Sequence, residues 1–179
     1  YGKHYEIPLD DPEFSEFYIL SGKFGMTHLV NKCSKTFKRD ITLDTLLDDY
    51  RGAIVSNSPF APEFQDVFIE SLGLLSKTAV LYFVEELDQT TIEKILTSDK
   101  IKVDEYFKFE MISRWLSPQE EFPRYSQGIQ HELMSYVRFE LIDTDILKTH
   151  VKNNPLVDTN TYINAIENKL EKSIKSSTY

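Results

Sequence analysis

Apolar residues recur along this chain at spacings of three and four, the period that lays one stripe along an α-helix. Between Leu133 and Val157 the segment LMSYVRFELIDTDILKTHVKNNPLV carries the pattern twice. Leu133, Met134 and Val137 make the first stripe, which stops at Arg138 and Phe139. Asp143 then predicts a cap, because its carboxylate can accept a backbone N–H at a helix start, and Ile146, Leu147 and Val151 make the second stripe. The ring of Pro155 disfavours helical geometry at Asn154 and closes this second helix.

The same reading extends upstream. Tyr5-Glu6-Ile7-Pro8 alternates weakly and predicts at most a short extended segment, too short to hold a sheet. Asp11-Pro12 predicts a helix start, with Phe14, Phe17, Tyr18 and Leu20 on its apolar side and a break at Gly22 and Gly25. Leu29, Cys33 and Phe37 recur every four residues in the next helix. A further helix is expected from Ile41 to Ile54, then a break at Ser56-Asn57-Ser58-Pro59. From Phe64 to Leu87 the apolar positions are dense enough to predict one largely buried helix, bent or closely packed at Gly73. Thr90 or Thr91 would cap a short helix through Leu96, and Asp104 a longer one carrying Phe107, Met111, Trp115 and Leu116.

Residues 118–128 are polar and contain proline, which predicts a loop. Asp158 predicts the cap of a last helix with Ile163, Ile166 and Leu170 on its core side, and the tail from 173 to 179 is expected to fray. The fold class expected is all-α, built of stacked antiparallel helical hairpins, with Leu75, Phe83, Leu96, Trp115, Val137 and Leu147 in one buried cluster.

Composition narrows the function. The net charge of −9 opposes a phosphate-binding surface, since counterion release needs clustered cations. Lys32, Lys35, Lys38 and Arg39 form the dense basic group, at the spacing of the wet side of a helix. Cys33 is the single cysteine, so no intramolecular disulfide can form, and its place in an apolar stripe predicts a packed hydrophobe. His4, His28, His131 and His150 are scattered, which gives no metal-ligand spacing, and no cofactor is implied. Ser21-Gly22-Lys23-Phe24-Gly25 lacks the length and ending of a phosphate loop. Glu85-Glu86, Glu120-Glu121 and Asp48-Asp49 are adjacent, so on a helix their side chains diverge and cannot share a proton. No nucleophile elbow is present and no enzyme is predicted. With no long apolar run, and a chain starting at Tyr1 without methionine, the expectation is a fragment of something longer whose termini do not give its localisation; the single cysteine makes a reducing compartment, cytoplasmic or nuclear, the simpler expectation.

Particular motifs sharpen this. The stretch FYILSGKFGMTHLVNKCSKTFKR, ending at Arg39, resembles the last helices of a BTB/POZ domain, with its Lys-x-Gly-Met turn and Leu-Val-x-x-Cys helix. TAVLYFVEELDQ and IEKILTSDKIKVDEYFKFEMISRWLS resemble the BACK domain that follows BTB, with Ser98-Asp99, Val103, Phe109 and Trp115-Leu116 at family-like spacing. The later Val-Arg-Phe, Leu-Ile and Pro-Leu-Val groups complete the likeness. The resemblance implies a BTB end over 1–40 and a BACK-like domain over 41–172, opening with helices like the 3-box of cullin-3 adaptors. Asn57 to Pro62 and Phe122 to Ser126 depart from the family pattern.

In functional terms the resemblance implies a non-catalytic protein-protein interaction module, the BTB-BACK linker of a substrate adaptor for a cullin-3-type ubiquitin ligase. The rival is a scaffold or transcriptional or signalling regulator with no ligase role. Homodimerisation would use an upstream BTB region. The helix ending at Ile54 carries Leu43, Leu46, Leu47, Tyr50 and Ile54, more apolar circumference than one buried stripe requires, so these are the candidate partner-binding residues. Trp115, Arg138 and Phe139 are the candidate structural residues. Arg138 stands where a cation favours the negative end of a helix dipole, and in the resembled family it locks that helix to its neighbour.

Overall fold

Helices end where the chain supplies breakers, and the computed structural model, which describes residues 12–117 and 125–176, shows an all-α fold without strands among those residues. The segment Tyr5 to Pro8 lies outside the described residues. The chain divides into two compact units, the first ending at Ser71 and the second beginning at Leu72.

The first unit holds α1 (Pro12–Lys23), α2 (Thr27–Asp40), α3 (Leu46–Val55) and α4 (Ala61–Ser71). Gly25, at φ +65°, turns the chain between α1 and α2 in the left-handed region that glycine adopts freely. Helix α1 packs on α2, α2 on α4, and α3 on α4. Phe14, Cys33, Phe37 and Phe60 form a buried cluster edged by Tyr18, Ile41 and Phe64. Its rings are stacked: Phe37 lies 4.3 Å from Phe60 and Phe14 5.5 Å from it. Phe60, the hub of the cluster, directly follows the Ser-Asn-Ser-Pro break, where helical periodicity gives no signal.

The predicted helix from Ile41 is shorter than expected. Residues 41–45 are not helical, and Leu43 lies in a turn. Thr42 and Thr45 join their hydroxyls at 3.0 Å instead, the local side-chain bonding by which threonine competes with helix formation.

The second unit holds α5 (Lys77–Val84), α6 (Gln89–Thr97), α7 (Glu105–Leu116), α8 (Gln127–Ser135), a 3-10 turn (Phe139–Leu141), the single turn α9 (Thr144–Ile146) running into a π-helical turn (Leu147–Val151), and α10 (Thr159–Ser176). The single helix expected from Phe64 to Leu87 is two helices, α4 and α5. The chain turns at Gly73, where an added Cβ would stand 2.9 Å from the Lys102 carbonyl oxygen. That close backbone approach explains both the glycine and the break. The cap of α6 is Asp88, not Thr90 or Thr91; its carboxylate accepts from the Thr91 N–H at 2.7 Å. Asp104 and Asp143 cap as expected, accepting from Phe107 and Asp145 at 2.7 and 2.8 Å.

Helix α7 is the spine of this unit. Phe107, Phe109, Met111, Ile112, Trp115 and Leu116 are all buried, and α5, α8 and the 3-10 turn pack against it. Phe83, Leu96, Val137 and Leu147 are buried as expected, while Leu75 is only half-buried. Helix α10 packs on the 3-10 turn and buries Ala165. Ile163 and Leu170, expected on its core side, are instead 43% and 58% exposed. The helix also continues through Ser176, past residue 172 where fraying was expected to begin. Residues 177–179 and most of the expected loop lie outside the described residues, and Gln127-Gly128 opens α8.

Candidate protein-interaction surfaces

Helix α3 is the candidate partner-binding element, and its apolar residues divide. Leu46 and Tyr50 are buried, 0% and 2% exposed, with the Tyr50 ring 5.9 Å from Phe68 and 6.4 Å from Phe64. They are core residues, which corrects the expectation that they face a partner. The four-residue step from Leu46 to Tyr50 is the helix's buried stripe, and Ala53 continues it. Leu47 is half-buried, while Leu43 and Ile54 are 41% and 39% exposed and Val55 is 78% exposed. The accessible apolar surface is therefore at the two ends of the element. Asp48 and Asp49 lie between these ends on the exposed side, and Arg51 pairs with Asp48 at 2.9 Å.

A second exposed apolar group lies on α1 and the turn after it. Phe17, Leu20, Phe24 and Met26 are 40%, 48%, 72% and 48% exposed. On the other side of this helix the Tyr18 hydroxyl donates to the Glu63 carboxylate at 2.9 Å. Burial first, then that bond and the Glu63 charge, push the Tyr18 phenol up to about 12. Cys33 is buried and free, and burial pushes its thiol up, so it packs as the small hydrophobe its spacing predicts. The basic group on α2 is mostly exposed, with Lys38 paired to Asp66 at 2.5 Å.

In the second unit the three structural residues are drawn into one framework on α7. The Trp115 indole N–H donates to the Leu87 carbonyl at 2.9 Å, and its ring stacks on Tyr125 at 4.0 Å. Phe139 is buried and meets Phe109 edge-on at 5.9 Å. Arg138 does not act through the dipole of α8, which ends earlier, at Ser135. Its backbone N–H and its guanidinium Nε both donate to the carboxylate of Glu105, the first residue of α7, at 3.1 and 2.9 Å. Arg138 thus ties the segment after α8 to the first turn of α7, with Glu105 as its partner. Lys108 donates to the same carboxylate at 3.2 Å.

Glu105 carries no mark in the sequence, because a glutamate after a capping aspartate reads as ordinary first-turn charge. Only its burial, with 5% of the side chain exposed, sets it apart. Burial works to raise its carboxyl, but the Arg138 N–H, the Arg138 guanidinium and the Lys108 ammonium outweigh it and hold the pKa below the ordinary carboxylate value.

Among the described residues no group of three or more histidine, cysteine or acidic side chains could hold a metal, and no helix is long and apolar enough to cross a membrane. Ser113 and His150 line one cleft, but the Ser113 hydroxyl has no hydrogen-bond partner, so the two form no nucleophile and base pair.

The comparison with known families falls on this second unit. Residues 82–152 match the model of the family described as BACK, BTB And C-terminal Kelch. The match begins within α5, contains all of α7 with Glu105 and Trp115, passes Arg138 and Phe139, and ends just past the π-helical turn. Over this stretch the chain is similar to the BACK domain, which is consistent with a BTB-BACK family protein.

Proposed function

We propose that this chain is the BTB-BACK linker of a substrate adaptor for a cullin-3-type ubiquitin ligase. The BACK match carries the reading, since that domain is a protein-interaction module of BTB-Kelch-type adaptors. On this reading residues 1–40 are the end of a BTB domain and 41–172 a BACK-like region that opens with 3-box-like helices. The exposed Phe17, Leu20, Phe24 and Met26 would face the rest of the BTB domain, which would also supply the homodimer contact. Leu43 and Ile54, with Leu47 beside them, would meet cullin, while Leu46 and Tyr50 hold the helix in place from beneath. The module works without catalysis or cofactor, in the cytoplasm or nucleus.

The test is retention of the intact protein on immobilised cullin-3. The adaptor reading expects saturable retention that survives washing at moderate salt. Failure of the intact, folded protein to bind would leave the scaffold reading in its place, in which the same module joins proteins without a ligase.

A further inference from the structure

Helix α2 presents a row of basic side chains to solvent. At about 3.6 residues per turn, His28, Lys32, Lys35 and Arg39 lie within about 60° of one another around the helix and run about 16 Å along it. All four are exposed, on the side opposite buried Cys33 and Phe37. No acidic residue precedes Asp40 at the end of the helix, so neither lysine has a carboxylate three or four residues away.

The neighbouring helix does not supply one. On α4, Asp66 is taken by Lys38, which stands off the row, and Glu63 is buried and bonded to Tyr18. Among the described residues neither Lys32 nor Lys35 has an ion pair. Elsewhere carboxylates do answer the cations: Arg51 pairs with Asp48, Lys77 with Asp104 and Lys108 with Glu105. With 29 acidic residues against 20 basic ones, the chain has no shortage of carboxylates, and these two lysines are nonetheless left open.

Charge and size together name what the row takes. At physiological salt its field reaches only about 8 Å. A long polyanion or an anionic membrane would meet the net charge of −9 as well, which repels both. Beside the row on α2 stand Asn31 and Thr36, not apolar groups that could enter a bilayer. A short acidic segment meets the row alone.

We infer that this face of α2 docks an acidic segment of a partner protein, whose Asp or Glu side chains, set at helical spacing, pair with Lys32 and Lys35 at the centre of the row. The contact is separate from helix α3, and the charge pattern carries it without the ligase reading.

The experiment follows the fluorescence anisotropy of a fluorescein-labelled peptide, Glu-Ala-Ala-Ala-Glu-Ala-Ala-Glu-Ala-Ala-Ala-Glu-NH2, whose glutamates repeat the spacing of the row, and of its Gln twin, each titrated with the intact protein. Saturable binding is expected, weakened by added salt and at least about fivefold weaker for the Gln twin, as the loss of several exposed charge pairs requires. Lys32→Gln with Lys35→Gln, on an exposed face where both residue types suit a helix, should weaken binding about fivefold or more with the circular dichroism unchanged. Lys148→Gln with Lys152→Gln removes the same charge from exposed lysines of the second unit and should leave binding within about twofold. Equal loss in the two double variants would reduce the attraction to net charge and overturn the inference, as would equal binding of the two peptides or no saturation. Tighter capture of a short DNA duplex, or of phosphatidylcholine vesicles with about 30% phosphatidylserine, would overturn it in favour of those ligands. Self-association that the Lys32 and Lys35 changes abolish would assign the row to a second copy instead. Because the probe is a peptide and not cullin, each of these failures leaves the adaptor reading standing; failure to bind cullin with the peptide still bound would do the reverse.

Discussion

Trp115 and Glu105 show two ways in which one side chain holds the second unit together. Trp115 is 1% exposed and tied to Leu87, so Trp115→Ala should cost about 3–5 kcal/mol in chemical denaturation. An unchanged midpoint would remove it from the core. The role of Trp115 is legible in the sequence because a large apolar residue on a helical stripe has one place to go. That of Glu105 is not, since its partner Arg138 is 33 residues away and only the tertiary fold brings them together. Glu105→Gln should destabilise by about 2–4 kcal/mol, less than a fully buried pair, because the Arg138 side chain is 63% exposed. A carboxyl with a lowered pKa contributes fully above its unfolded value of about 4.3 and loses that contribution as pH falls through the folded value. The urea midpoint of the native protein should therefore fall on acidification below about pH 4 more steeply than that of Glu105→Gln. Parallel acid profiles would remove the ion pair as the cause.

At the scale of elements, existence is readable from the chain and boundaries are not. The apolar run from Phe64 to Leu87 fits one helix on periodicity alone, yet it is α4 and α5, because what decides is a carbonyl from Lys102 pressed against Gly73. Gly73→Ala must shift that backbone contact and should cost about 1–3 kcal/mol, read as a lower thermal midpoint. Retained stability would show that the segment yields easily. Aspartate caps are legible where they directly precede a stripe, at Asp104, Asp143 and Asp158. Asp88 is masked by the threonines beside it, which are equally good capping residues. Helix α3 shows the limit of circumference counting: the five apolar residues from Leu43 to Ile54 would cover too much of a helix for one stripe, but Leu43 lies in a turn before α3, and which of the others pack inward depends on α4 and Phe68.

On the scale of the molecule, the all-α class and the BACK likeness are carried by spacing around Trp115 and by the Val-Arg-Phe group, which the family match includes. The division after Ser71 is not visible in the chain, since no run of glycine, proline or serine marks it. Packing between α2, α3 and α4 joins those helices into the first unit, a result of side-chain fit that sequence spacing does not encode. The proposed partner surface is legible only in outline, because exposure of Leu43 and Ile54 depends on how α3 seats on α4. The most direct test is a calorimetric titration of the intact protein with the N-terminal region of cullin-3, repeated with the double variant Leu43→Asp and Ile54→Asp, each checked by circular dichroism. The expected result is saturable binding that the folded double variant weakens about tenfold or more, the loss of exposed apolar anchors. No binding by the intact protein would contradict the adaptor reading, and full-strength binding by the folded double variant would remove α3 from the interface.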